Sequence, residues 1–212
     1  MSGSSKSYLT LTPILGLVLY VIIYTLGAAD YTGGSFNYPN SQNYSFSHNL
    51  LCDLMLPNSI NGQINDGRTL GIISHVILSA TMMGFFYILS KIFTIENRNT
   101  QLTRYFGIAS MFVFSFMFTE HHDAVVLLTG IIGTMALIPF FLELKTYNDR
   151  PLKVYSFFCF FLSIVVFISF ISKIGYYYLP FLQKITFVID AIWVVWICRL
   201  VYRNKQPSLA VF

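Results

Sequence analysis

Residues Arg104 to Leu144 read RYFGIASMFVFSFMFTEHHDAVVLLTGIIGTMALIPFFLEL, 41 residues charged only at the two ends and in a break at Glu120-His121-His122-Asp123. A bilayer core takes about 20 apolar residues per helix. The stretch is therefore too long for one crossing and the right length for two, reversing at Glu120 to Asp123. Four more apolar segments lie on either side of it: about Tyr8–Ala29, Thr69–Phe93, Val154–Ile174 and Phe181–Tyr202.

Composition agrees with six crossings. Of 212 residues, 10% are charged and 55% hydrophobic, against about 25% charged in soluble domains. One domain of this length cannot hide so much apolar surface from water. A disordered chain, a soluble enzyme and a disulfide scaffold are excluded. Cys159 and Cys198 fall inside apolar segments, and no CxxC pair is present, so the thiols read as small core residues.

The net charge of +4 comes from 13 basic and 9 acidic residues, with the basic ones standing singly between apolar runs. No basic-aromatic interleaving suggests a nucleic-acid partner. Their distribution speaks instead to orientation, because cytoplasmic loops collect Lys and Arg. With the N-terminus inside, Lys6, Lys91, Arg98, Arg104, Lys145, Arg150, Lys153, Arg199, Arg203 and Lys205 are cytoplasmic, and only Arg68, Lys173 and Lys184 are outside. Lys6 and the small residues Gly27-Ala28-Ala29 also suit a cleaved signal peptide. The apolar run from Leu9 to Leu26 exceeds the 7–15 residues of a signal core, so a retained first helix is expected. The expected fold is all-α: a polytopic integral membrane protein, one six-helix transmembrane domain over 1–212, both termini cytoplasmic, multi-pass in a cell membrane.

The outer side then holds one long loop, about 30–67, rich in Tyr, Asn, Ser and Gly. Its part from Phe46 to Met55 is amphipathic enough to form a short helix on or in the membrane surface. Asn61-Gly62 and Asp66-Gly67 mark turns after it. A passive connection needs only about 4–6 residues.

All four histidines also fall on the outer half. His48 is in the loop, His75 about two turns into the second helix, and His121 and His122 at the turn before the fourth. Asp190 lies two to three turns into the sixth helix, at a depth similar to His75. A carboxylate at that depth costs about 2.5–3.5 kcal/mol on insertion scales. It needs a partner from among His75, Arg68, Lys184, His121-His122 or a hydroxyl. Imidazoles with carboxylates at a bundle mouth can relay protons, activate a water or hold Zn. His75, His122 and Asp190 are the candidate catalytic residues and the candidate metal ligands. Asp53, Arg68 and Asn49 are the candidate substrate-binding residues, with Asp53–Arg68 as a loop-pinning ion pair the competing reading. No HExxH or other metal signature is present. His75 as a neutral histidine bonded to a neighbouring helix, and Glu120 to Asp123 as a solvated turn, are the structural alternatives. Gly130 and Gly133, with Thr129 and Thr134, read as helix-packing positions.

The order of elements carries a resemblance. The outer loop ends in Ser47 to Leu54, a fourth helix follows His121-His122-Asp123-Ala124, and the last segment begins Leu182-Gln183-Lys184-Ile185-Thr186-Phe187. This resembles a prokaryotic six-helix membrane family of unassigned activity, itself similar to eukaryotic Frag/DRAM-type membrane proteins. Lys184 stands where that family carries arginine. The resemblance implies a six-helix membrane fold in a bacterial inner membrane and implies no reaction.

Three functions follow as expectations. The first is an outward-facing His/Asp pocket that handles a lipid or lipid-linked substrate, with a His/Asp-activated water attacking an ester as its simplest chemistry. The second is a non-catalytic subunit, assembly factor or sensor whose outer loop binds a membrane or periplasmic protein. The third is a small proton-coupled transporter using Asp190 and His75.

Overall fold

The structure, a computed structural model, describes residues 8–93 and 95–204. Lys6 and Lys205, two of the residues used above for orientation, lie outside the described residues. Six α-helices make up the fold: α1 Thr12–Ala29, α2 Arg68–Leu89, α3 Arg98–Phe114, α4 His122–Leu144, α5 Arg150–Ser172 and α6 Leu179–Asn204. Short 3-10 turns, Leu9–Leu11 and Ser90–Ile92, extend α1 backwards and α2 forwards. Five helices are long and apolar enough to cross a membrane, and α3 is the exception.

The shorter third helix departs from the reading of Arg104–Leu144 as two full spans, and side-chain chemistry explains it. At its start, Asn97 accepts from the Thr100 amide at 3.0 Å while the Thr100 hydroxyl accepts from the Asn97 amide at 2.9 Å. This reciprocal cap fixes the helix start six residues before Arg104. At its end, the Ser115 hydroxyl donates to the Phe112 carbonyl at 2.6 Å and the Thr119 hydroxyl to Phe116 at 2.8 Å. Such local bonds compete with the helical ladder, and turns replace helix from 115 to 121.

Successive helices run antiparallel, with α1 on α2, α2 on α3, α3 on α4 and α5 on α6. One end of the bundle carries the 30–67 loop. The far end collects Lys91, Arg98, Arg104, Lys145, Arg150, Lys153, Arg199 and Arg203. Arg104 pairs there with Glu96 at 3.0 Å. The closely packed core sits in the far half. The indole of Trp193 meets Phe85 and Phe140 edge-on, with ring centroids 5.2 and 5.8 Å apart, and donates to Ser156 Oγ at 2.8 Å. Leu89, Leu144, Leu152, Ile197 and Val201 close it completely. Three phenylalanines of α5, Phe157, Phe158 and Phe161, are exposed.

The loop folds into the bundle. The expected short helix over Phe46–Met55 is reduced to one 3-10 turn, Asp53–Met55. Asn49, Leu50, Asp53, Leu54 and Met55 are buried against the helices instead of lying on a surface. Asn49 Oδ1 accepts from the Ser45 amide at 2.9 Å and Asp53 Oδ2 from the Leu50 amide at 2.9 Å. Those side chains take the amides a helix would have used.

Where the loop joins α2, Gly67 lies so close to α1 that an added Cβ would stand 2.1 Å from the Gly27 carbonyl oxygen. Gly67→Ala should lower the melting temperature in detergent by the equivalent of about 1–3 kcal/mol. Gly84→Ala, where nothing lies within 4 Å of the added carbon, should be neutral or stabilising by up to about 1 kcal/mol. Equal melting temperatures for the two variants would refute this account of the α1–α2 contact.

Candidate functional site

At the loop end the bundle is hollow. A cavity of about 370 Å³ lies between α4, α5 and α6, with α3 behind it and Leu51 and Cys52 of the loop as its roof. That volume is within the range of small-molecule sites. The walls are mainly apolar, with Val126, Val166, Phe167, Phe170 and Phe187 among them. Gly130 leaves room for the Phe167 ring, which comes within 2.4 Å of where a Cβ at that position would stand.

Residues around this apolar space carry buried polar atoms without partners. Seven buried side-chain nitrogen or oxygen atoms lack a hydrogen bond among the described residues. Four of them belong to residues lining this cavity: His122 Nε2, Thr129 Oγ1, Thr186 Oγ1 and Asp190 Oδ1. Buried polar atoms are nearly always bonded. Four together, on residues around one cavity, make it the candidate site.

Helix geometry brings them together. Thr186 and Asp190 are four residues apart on α6, and His122 and Thr129 seven apart on α4, so each pair shares a face. Asp190 Oδ2 accepts from Ser163 Oγ at 3.2 Å, across the α5–α6 contact. Asp190 therefore takes the hydroxyl from its list of expected partners. The His122 ring is held by its Nδ1, 3.0 Å from Asp123 Oδ1. In the neutral ring with its proton on Nδ1, Nδ1 donates to that carboxylate, and Nε2 remains as an acceptor without a partner.

The other predicted residues lie elsewhere. His75 borders an adjoining pocket of about 90 Å³ that shares Leu51, Cys52, Leu78, Phe114, Met117 and Gln183 with the cavity, and its Nε2 contacts the Phe114 carbonyl at 2.7 Å. It adds to the bond that the Phe114 carbonyl takes from the Met117 amide at 3.1 Å and so ties α2 to the end of α3, the structural alternative named above. Among the described residues no three His, Cys, Asp or Glu side chains gather as a set that could hold a metal ion. His75, His122 and Asp190 thus do not fit a zinc centre, because His75 is turned to Phe114 and His122 to Asp123. Arg68 donates to the Met55 carbonyl at 3.2 Å. Asp53 bonds to Asn49 Nδ2 at 3.0 Å. The expected Asp53–Arg68 pair is not among the ion pairs of the described residues.

Asn49 and Asp53 instead belong to the anchor of the roof. Lys184 Nζ, buried in α6, donates to the Asn49 and Pro180 carbonyls. Gln183 Oε1 accepts from the Leu51 amide at 2.9 Å. Burial pushes the Asp53 carboxyl above its ordinary pKa, while Asn49, the Leu50 amide and Lys184 pull the other way. Burial, and then the Asp53 charge, push the Cys52 thiol up as well, so Cys52 is a neutral wall group and not a thiolate nucleophile.

Sequence reasoning read Thr129 as a packing residue and left Ser163 and Thr186 without a role. The i, i+4 spacing of Thr186 and Asp190 was the available signal. Lys184→Met should leave the buried Asn49 carbonyl without its ammonium donor, a cost of about 1–3 kcal/mol. Amide hydrogen exchange over 45–55 should then accelerate by roughly tenfold or more, with the far half of the bundle unchanged. Unaltered exchange in that segment would refute the anchor. No family model, no curated protein and no solved structure matches this chain.

Proposed function

We propose that the chain is an integral membrane protein crossing six times, with both termini cytoplasmic and the 30–67 loop outside. We further propose that its cavity binds an amphiphilic molecule, a lipid or lipid-linked substrate. The five long apolar helices and the basic far end support the orientation, since cytoplasmic ends collect Lys and Arg. The 17 residues of α3 rise roughly 25 Å, and the 115–121 turns complete its crossing of a core about 30 Å thick. The family resemblance read from the sequence supports a bacterial inner membrane as that membrane.

The four unpartnered polar atoms in an apolar cavity carry the binding reading. Apolar walls would hold a chain, and His122, Thr129, Thr186 and Asp190 would hold a head group. Native mass spectrometry on protein purified in mild detergent tests it. Wild type should retain a lipid-sized adduct through detergent exchange. Val126→Trp, which fills the cavity, should reduce its occupancy by roughly tenfold. His75→Ala should retain the adduct while unfolding at lower temperature, because it loses only the Phe114 contact, worth about 1–3 kcal/mol. Equal adduct in a folded Val126→Trp would sink the reading.

A hydrolytic step in the same cavity is a second reading, favoured by one observation: the Asp123–His122 contact leaves Nε2, on a residue that lines the cavity, without a partner. An imidazole oriented in this way suits a general base toward water. Long-chain ester hydrolysis in proteoliposomes should then fall by about 100-fold in His122→Gln. Hydrolysis that persists in His122→Gln would remove this reading and leave binding intact.

A further inference from the structure

We infer that the cavity selects, by charge, an amphiphile whose head donates hydrogen bonds and bears no negative charge: a long-chain alcohol or acylglycerol, or a long-chain amine. The inference rests on the binding reading above and deepens it. Two of the four open atoms accept when the Asp190 carboxyl is ionised and the His122 ring is neutral with its proton on Nδ1. Asp190 Oδ1 belongs to a carboxylate whose other oxygen already takes Ser163, and His122 Nε2 is the lone-pair nitrogen of a ring whose Nδ1 faces Asp123. Thr129 and Thr186 supply hydroxyls that turn either way. A head group that satisfies this set must bring its own protons.

The surroundings offer an anion no charge partner. Among the described residues no lysine or arginine lines the cavity. Lys184, in the turn before Thr186, is directed to the Asn49 and Pro180 carbonyls of the anchor. Lys173, beyond the end of α5, sits over the outer rings of Phe170 and Tyr176, 4.4 and 4.6 Å from their centroids. A phosphate in the cavity would be stripped of water beside the Asp190 carboxylate with no cation to neutralise it, which is costly in a low-dielectric site. A hydroxyl or an ammonium meets the same acceptors at no such cost. These two sources share one recognition chemistry, and experiment separates them.

The test uses full-length protein in phosphatidylcholine nanodiscs with tritiated 1-monooleoylglycerol. Unlabelled monooleoylglycerol, oleylamine and 1-oleoyl-lysophosphatidate compete in parallel. Monooleoylglycerol should displace the probe at concentrations roughly tenfold or more below lysophosphatidate. Oleylamine matching monooleoylglycerol would support the class and extend it to ammonium heads. A weak oleylamine would support it and confine it to hydroxyls. Lysophosphatidate equal to or tighter than monooleoylglycerol would overturn the selectivity and leave the binding reading standing. No displaceable signal from any of the three, or a signal unchanged in Val126→Trp, would overturn the binding reading itself.

Asp190→Asn keeps the shape of the side chain, removes the charge and adds a donor. It should weaken monooleoylglycerol by roughly tenfold and narrow the gap to lysophosphatidate, a change that loss of packing alone would not produce. Thr186→Val, nearly the same shape, should weaken monooleoylglycerol without narrowing that gap. It serves if Asp190→Asn does not fold. Both variants binding like wild type would overturn the inference.

Discussion

The ammonium of Lys184, donated to the Asn49 carbonyl, ties the long loop to the bundle. Beside it, Gln183 takes the Leu51 amide. Two adjacent residues of α6 thus grip the loop at Asn49 and Leu51, directly before Cys52. Leu51 and Cys52 roof the cavity, so the tie sets the height of the site as well as the course of the loop. The rings of Tyr44 and Phe46 stand 5.5 and 5.4 Å from the same ammonium and wall it off. In such surroundings a hydrogen bond is stronger and its loss costlier than in water. That is why a loop rich in Gly and Asn can be held in one buried conformation.

From this tie the bundle divides into two halves of different character. The far half is packed to closure around Trp193, Phe85 and Phe140. Its polar atoms are satisfied internally, as in the bond from the Trp193 indole to Ser156. The loop half keeps an opening, and its polar atoms remain unmatched there. A rigid base with an adaptable mouth suits a binding site, since positioned groups hold their geometry best on elements fixed elsewhere. His75 belongs to this scaffold. By meeting the Phe114 carbonyl it closes the end of α3, and Phe114 in turn forms part of the cavity wall.

Much of the architecture was legible from hydropathy, because helix length and apolar composition are local properties. The reversal at Glu120 to Asp123 lies within a turn of the start of α4. The early end of α3 was not legible. It depends on Ser115 and Thr119, whose hydroxyls bond local carbonyls inside a strongly apolar run. His122 and Asp190 could be named from the sequence, since an ionisable group in an apolar helix stands out. Their separation from His75 could not, because depth along a helix says nothing of the direction a side chain faces. The burial of Asn49 and Asp53 escaped for a related reason. Polar residues in a Gly-rich loop read as solvated until a distant residue, here Lys184, supplies the missing partner.

The opening itself follows from how α4 and α5 meet. They are neighbours in sequence, yet they pack far less closely than α3 with α4. At the far end the Phe141 ring stacks on Phe157 at 4.4 Å. Toward the loop, Phe167 reaches across to Gly130, and Phe170 to within 5.7 Å of the His122 ring. Large rings on α5, meeting α4 at separate points, hold the two backbones apart. Space left between them cannot collapse without displacing rings that are already packed. A bundle with small residues at every crossing would have closed it. Phe157, Phe167 and Phe170 of α5 therefore keep His122 and Asp190 around one open space.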